Sequence, residues 1–325
     1  MSADHAAAER ANPWHAYWRG QATEQVLPPN HPGAGALDSF WTALLDARLV
    51  RGHARDVVDL ASGGGEVAER VQRAAAGSGI TLNLVCVDIA EAALQRLAAR
   101  LPGARTLVAN VSTPPLPEQS QDLVVSQFGI EYAGREAFVA AGRLVRPGGA
   151  LAAVVHHAGS GIHRECVDNE SAAEAIIDAA LLPAMHEYFE RLGAPGVTGP
   201  QRESSERRVR RAARSLEQVV RARGASGAGG ALVSRLFKDC AQLFGRAEHY
   251  EPAEVLAWTD GMMAEVYAYR DRMRSMQSAA LDGPAVEALA DALRAGDMTV
   301  VRAEAMVTAS GDPVAWILEA ERPVD

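Results

Sequence analysis

The 325 residues are 48% apolar and 22% charged, which suffices for a full hydrophobic core and excludes a disordered or fibrous chain. A net charge of −9 repels polyanions on average, so a nucleic-acid partner would have to be met by a local basic patch. No apolar run approaches the roughly 18 residues of a membrane span, and the start of the chain has no basic segment followed by an apolar core. Three dispersed cysteines, Cys86, Cys166 and Cys240, form neither a disulfide framework nor a paired-cysteine zinc site. These features predict a cytoplasmic protein with no membrane attachment and no metal.

Residues 1–37 are rich in proline, glycine and aromatics, with Asn12-Pro13-Trp14-His15-Ala16-Tyr17-Trp18 standing out in an aromatic-poor chain, and read as an amino-terminal cap segment. Asp38 is placed to cap a helix of about 12 residues. From Asp56 onward, short β-branched runs at 57–61, 81–88, 104–110, 122–128 and 150–157 alternate with alanine-rich amphipathic stretches at 66–75, 90–100 and 135–145. That alternation predicts a parallel sheet covered by helices, with Pro147-Gly148-Gly149 stopping the third helix. The pattern ceases over 158–283, which reads as an inserted helical subdomain broken near 192–200 and 224–230. It resumes over 284–325 with a helix at 284–295 and strands at 298–309 and 313–321. The turn Ser310-Gly311-Asp312 is too short for a crossover, so the last two strands should be antiparallel.

The strongest local signal is Asp59-Leu60-Ala61-Ser62-Gly63-Gly64-Gly65, where a strand runs through a glycine-rich turn into a helix. Such turns bring backbone amides and a helix amino terminus close to a ligand. Gly63-x-Gly65-x-x-Ala68, with Asp88 further on, also satisfies the dinucleotide fingerprint. A carboxylate at the strand tip argues against that reading, because Asp59 would repel a pyrophosphate and suit a cationic amino-acid ligand.

These residues resemble the first motif of the class I S-adenosylmethionine-dependent methyltransferases, acidic-x-Gly-x-Gly-x-Gly, with Ala61 in place of the first glycine. Further features follow in the family's order: Val87-Asp88-Ile89 ending the second strand, Asn110-Val111 after the third, Leu116-Pro117 ahead of the fourth, and Arg143 to Gly149 at the end of a helix. The resemblance implies a Rossmann-like α/β sheet of seven strands with an antiparallel terminal hairpin over 38–157 and 284–325. It implies S-adenosyl-L-methionine as cofactor, Asp88 receiving the ribose hydroxyls, and Ile89, Asn110 and Val111 beside the adenine. Asp59, Ala61, Ser62, Gly63 and Gly65 would form the turn around the amino-acid part, with Tyr17 folding over the cofactor.

In an open α/β sheet the ligand crevice lies beyond the carboxyl ends of the strands. Ser126 and Gln127, ending the fourth strand, should therefore face the transferable methyl group. His156 and His157, ending the fifth, are the candidate general bases, and strand alternation allows one of them to face the pocket. Glu131 and Tyr132 are weaker candidates, readable as loop anchors. The fourth-strand segment lacks the Asn/Asp-Pro-Pro-aromatic signature associated with amino-methylating enzymes of nucleic acids and glutamine. A small-molecule methyl acceptor is expected, oxygen ahead of nitrogen. The resemblance also places the insertion as a lid over the crevice. Its arginine-rich stretch, 202–223, could bind a polyanion, but its apolar stripe suits a solvated helix face better. Oligomeric state has no signature in the sequence.

Overall fold

The computed structural model describes residues 13–19, 27, 30–223 and 227–324, and the chain divides into two compact units, 1–163 with 276–325, and 164–275. Most of the cap segment and part of the second expected helical break lie outside the described residues.

In the first unit, α1 (Pro13–Arg19) and α2 (Ala34–Leu45, extended by a π-helical turn over Asp46–Arg51) precede the sheet. The expected alternation follows as β1 (Asp56–Leu60), α3 (Glu66–Gly77), β2 (Asn83–Asp88), α4 (Glu91–Arg100), β3 (Arg105–Val108), β4 (Gln121–Gln127), a 3₁₀ turn (Ile130–Ala133), α5 (Arg135–Leu144) and β5 (Val145–His156). The second unit is built from helices α6 (Gly161–Ala179, which begins in the first unit), α7 (Leu181–Gly193), α8 (Gly199–Arg223), α9 (Gly227–Gly245) and α10 (Pro252–Ala279, which ends in the first). The first unit closes with α11 (Gly283–Arg294), β6 (Thr299–Val307) and β7 (Pro313–Glu321).

The seven strands lie in the order β3-β2-β1-β4-β5-β7-β6, with β7 antiparallel to both β5 and β6. This is the Rossmann-like α/β sheet of seven strands with an antiparallel terminal hairpin that the sequence predicts, β7 alone running against the other six. Strands β1, β4 and β5 read as apolar runs because helices cover both faces. Val58, Leu60, Val124, Leu151 and Val155 are buried in one cluster with Phe138 and Ala141 of α5 and Leu289 and Leu293 of α11. A separate cluster, centred on Met185, Phe189, Leu216 and Leu236, forms the core of the second unit.

Two local expectations fail for identifiable reasons. Asp38 is no cap: α2 begins at Ala34 after Gly33, and Asp38 sits inside it, paired with Arg70 of α3. Pro147-Gly148-Gly149 does not separate α5 from its strand. β5 starts at Val145, directly after the helix, and Gly148 and Gly149 exchange backbone hydrogen bonds with Arg322 at 2.9 and 3.1 Å.

Candidate active site

Beyond β1 the chain turns on three left-handed residues, Ala61 (φ 53°), Gly63 (φ 50°) and Gly65 (φ 85°). Gly65 is required by packing as well as by its dihedral, since an added Cβ would lie 2.7 Å from Leu97 of α4. Asp88 fastens the turn: Oδ2 accepts the Gly63 amide at 2.8 Å and Oδ1 accepts the Ala90 amide at 2.8 Å. Each carboxylate oxygen carries two acceptor positions.

Asp59 lies differently from the sequence expectation. It is buried, and its Oδ2 accepts the Ala68 amide at 3.1 Å within α3. Burial pushes its carboxyl up to about 8, opposed by that hydrogen bond and reinforced by the nearby Asp88 and Glu66 carboxylates. Near neutrality Asp59 is therefore mostly a neutral acid joining strand to helix, and the argument that its charge repels phosphate does not hold.

The remaining residues expected at the cofactor divide into two sets. Ile89 leaves 42% of its surface exposed beside Asp88. Asn110 is exposed, with Oδ1 accepting the Ser112 amide at 2.9 Å, whereas Val111 is buried. Ser62 Oγ is buried with no hydrogen-bond partner among the described residues. Ser126 and Gln127 are committed to the protein. Ser126 Oγ donates to the Leu60 carbonyl at 2.7 Å and accepts the Ile130 amide at 3.3 Å. Gln127 Oε1 accepts from the Trp41 indole at 2.5 Å, leaving its buried Nε2 without a partner among the described residues.

On α1, the Trp18 indole rather than Tyr17 meets the glycine turn: an added Cβ on Gly63 would lie 2.7 Å from the indole, and one on Gly64 3.1 Å. Tyr17 stands between Trp18 and Trp14, at ring-centroid distances of 5.1 and 5.8 Å, and Trp14 continues the row to Tyr132 at 5.1 Å. These aromatics link the glycine turn to the end of β5.

There the two histidines separate, as alternation requires. His157 stacks on Trp316 of β7, with centroids 4.5 Å apart and planes at 14°. His156 faces the loop after β4, where Glu131 Oε1 accepts both its backbone amide at 3.0 Å and its ring Nδ1–H at 2.6 Å. With Nδ1 carrying the proton, Nε2 presents a lone pair. Nε2 is buried without a partner among the described residues, as is Glu131 Oε2. Phe128 lies against the imidazole at 4.6 Å, and Tyr132 meets it edge-on at 5.7 Å. Sequence reasoning gave Glu131 a minor role because its pairing depends on the register of the β4 loop against β5. Among the described residues no group of three or more His, Cys, Asp or Glu is placed to hold a metal ion, and no helix is long and apolar enough to cross a membrane.

Residues 57–149 match a family model described as "Methyltransferase domain". No protein of curated function matches the chain in sequence. Among solved structures, a putative methyltransferase from Bacillus halodurans is similar at 19% identity over 42% of this chain and 59% of that one, with a TM-score of 0.33. An S-adenosylmethionine-dependent methyltransferase from Mesorhizobium loti is similar at 21% over 36% and 56%, with a TM-score of 0.29. A geranyl diphosphate methyltransferase in complex with GPP and sinefungin is similar at 18% over 36% and 45%, with a TM-score of 0.32. The chain thus spans about half the length of these proteins. The matched family region contains the glycine turn, Asp88 and the β4 loop. The residues fit the methyl donor of such a domain, S-adenosylmethionine: Ser62 Oγ is an unsatisfied buried polar atom at the turn, Asp88 is an acceptor, and Ile89 is an exposed apolar surface beside it.

Proposed function

We propose that this chain, whose residues 57–149 form a methyltransferase domain of the class I, Rossmann-like kind, transfers a methyl group from S-adenosylmethionine to a small organic molecule, oxygen being favoured over nitrogen as the accepting atom. The observation that carries this reading is the buried pair Glu131–His156 with its unpartnered Nε2.

Bound at the glycine turn, the donor supplies a methyl group already activated as a sulfonium. Alignment by the protein contributes up to about 7–11 kcal/mol in such displacements. The protein's own chemistry is then the acceptor's proton. A hydroxyl hydrogen-bonded to His156 Nε2 would give its proton to that nitrogen as the carbon–oxygen bond forms and the methyl–sulfur bond breaks, the donor leaving as the neutral thioether S-adenosylhomocysteine, and the resulting imidazolium is stabilised by Glu131 across the 2.6 Å contact. A carboxylate acceptor would need no base and would meet Glu131 unfavourably. Asp88 receives the ribose hydroxyls, and the row from Trp18 to Tyr132 excludes water. The helical subdomain, read from the sequence as 158–283, supplies acceptor selection, and the work is done in the cytoplasm.

A polyanion-reading enzyme is less well supported. On α8, Arg207, Arg208, Arg210 and Arg221 are paired with Glu203, Glu187, Glu206 and Glu217 at 3.5, 2.9, 2.7 and 2.6 Å, which neutralises much of the basic face. A protein that binds S-adenosylmethionine without transferring the methyl group would be signalled by departures from the family pattern, here Ala61 and Asn110. The Ala61 methyl packs on Gly129, and Asn110 keeps a free amide edge by the rim, so neither departure obstructs the crevice.

The test is a screen of labelled methyl transfer over a small-molecule panel and total cell RNA, with wild type and His156→Gln. The variant should lose roughly 10²–10⁴-fold in turnover and still bind S-adenosylhomocysteine. Undiminished turnover would remove His156 from the reaction, and methylation of RNA alone would overturn the choice of acceptor.

A further inference from the structure

Two contacts tie the glycine turn to the loop that carries Glu131. The first is the Ser126 hydroxyl, which donates to the carbonyl of Leu60, the residue before Ala61, and accepts the amide of Ile130, the residue before Glu131. Ser126 is fully buried, so a single side chain bridges the entry to the turn and the entry to the base loop. The second is the methyl group of Ala61. An added Cβ on Gly129 would lie 2.6 Å from the Ala61 methyl and 2.8 Å from its carbonyl oxygen, so the carbon by which this turn differs from a glycine faces the loop.

Both segments hold strained backbone at this junction: Ala61 has φ 53° and Phe128 φ 51°. Neither is glycine, and side-chain-bearing residues persist in that conformation where their surroundings over-determine it. Phe128 is buried with its ring on His156, and Gly129 leads directly into the 3₁₀ turn containing Glu131. Displacing the loop would move both groups that orient the imidazole.

We propose that Ser126 and Ala61 form a positioning clamp: they hold the loop 128–131 so that Glu131 keeps His156 in its Nδ1–H tautomer, and neither touches the cofactor. The proposal rests on reading His156 as the base and reassigns two residues that the sequence places at the cofactor.

The variants Ala61→Gly and Ser126→Ala test it, with S-adenosylhomocysteine as the calorimetric probe and side-chain ¹H–¹⁵N spectra reporting the histidine tautomers. The His156 signal is assigned by its loss in His156→Gln. Wild type should show a single Nδ1–H form. Both variants should bind the probe within about threefold of wild type while the His156 ring becomes a tautomer mixture, and Ala61→Ser, which keeps the Cβ, should retain the wild-type spectrum. A loss of about tenfold or more in probe affinity in either variant would overturn the clamp, as would a wild-type spectrum in both. Full methyl transfer by His156→Gln alongside altered tautomers in Ala61→Gly would refute the base and leave the clamp standing.

Discussion

Asp59 makes the pH dependence of stability a direct probe of the turn. Its carboxyl has an ordinary value of 3.8 and is raised by burial to about 8 in the folded chain, so between those values the folded state holds a proton that the unfolded state has released. Its contribution is fully present below the unfolded value and is lost as pH rises through the folded one. The slope is a loss on the order of 1 kcal/mol per pH unit, hence roughly 2–3 kcal/mol between about pH 5 and pH 7 from this group. Asn is close in shape to the protonated acid and can still accept the Ala68 amide through its carbonyl oxygen. Asp59→Asn should therefore remove this component. The check is urea unfolding of both proteins across that range, taking the difference of their slopes so that all other titrating groups cancel. Parallel curves would refute the protonated Asp59.

Asp88→Ala should weaken S-adenosylhomocysteine binding by about 1.5–3 kcal/mol, because a charged acceptor is lost and the Gly63 amide loses its partner; unchanged calorimetric affinity would place Asp88 outside the site. Reversing Arg207, Arg208, Arg210 and Arg211 to Glu should leave small-molecule turnover within a few-fold, with a lower melting temperature because the α8 ion pairs become like-charge contacts of up to about 1 kcal/mol each. Loss of turnover in the folded variant, or salt-sensitive RNA binding by wild type, would favour the polyanion reading.

The layered sheet was legible because its evidence is local and repeated: apolar runs for covered strands, amphipathic stretches between them, and a turn too short to cross over before β7. The glycine turn was legible for the same reason. What escaped depends on groups distant in sequence. The amide of Gly148 finds its acceptor in Arg322, so Pro147-Gly148-Gly149 stays within a strand although its composition reads as a stop. Asp38 has the chemistry of a cap, but its partner is Arg70, 32 residues away. Asp59 reads in the sequence as a charged strand tip, but desolvation depends on what packs around that tip, and burial raises its carboxyl. Glu131 and His156 are separated by 25 residues and meet through the register of β4, its loop and β5.

The strand order also constrains how the molecule can be assembled. β7, the last of the seven strands to be synthesised, is inserted between β5 and β6, and His156 is paired across it with Ala315. Until β7 arrives, β5 has an unsatisfied edge and β6 has no neighbour, so the sheet cannot close from its first strand onward as the chain emerges. The intervening helices have their own core and can fold in that interval, while an open apolar edge such as β5 pairs readily with other chains. Refolding yield should therefore fall steeply with protein concentration. A peptide spanning 313–321, supplied in excess during refolding, would compete for that edge and trap a species lacking the carboxyl-terminal side of the site.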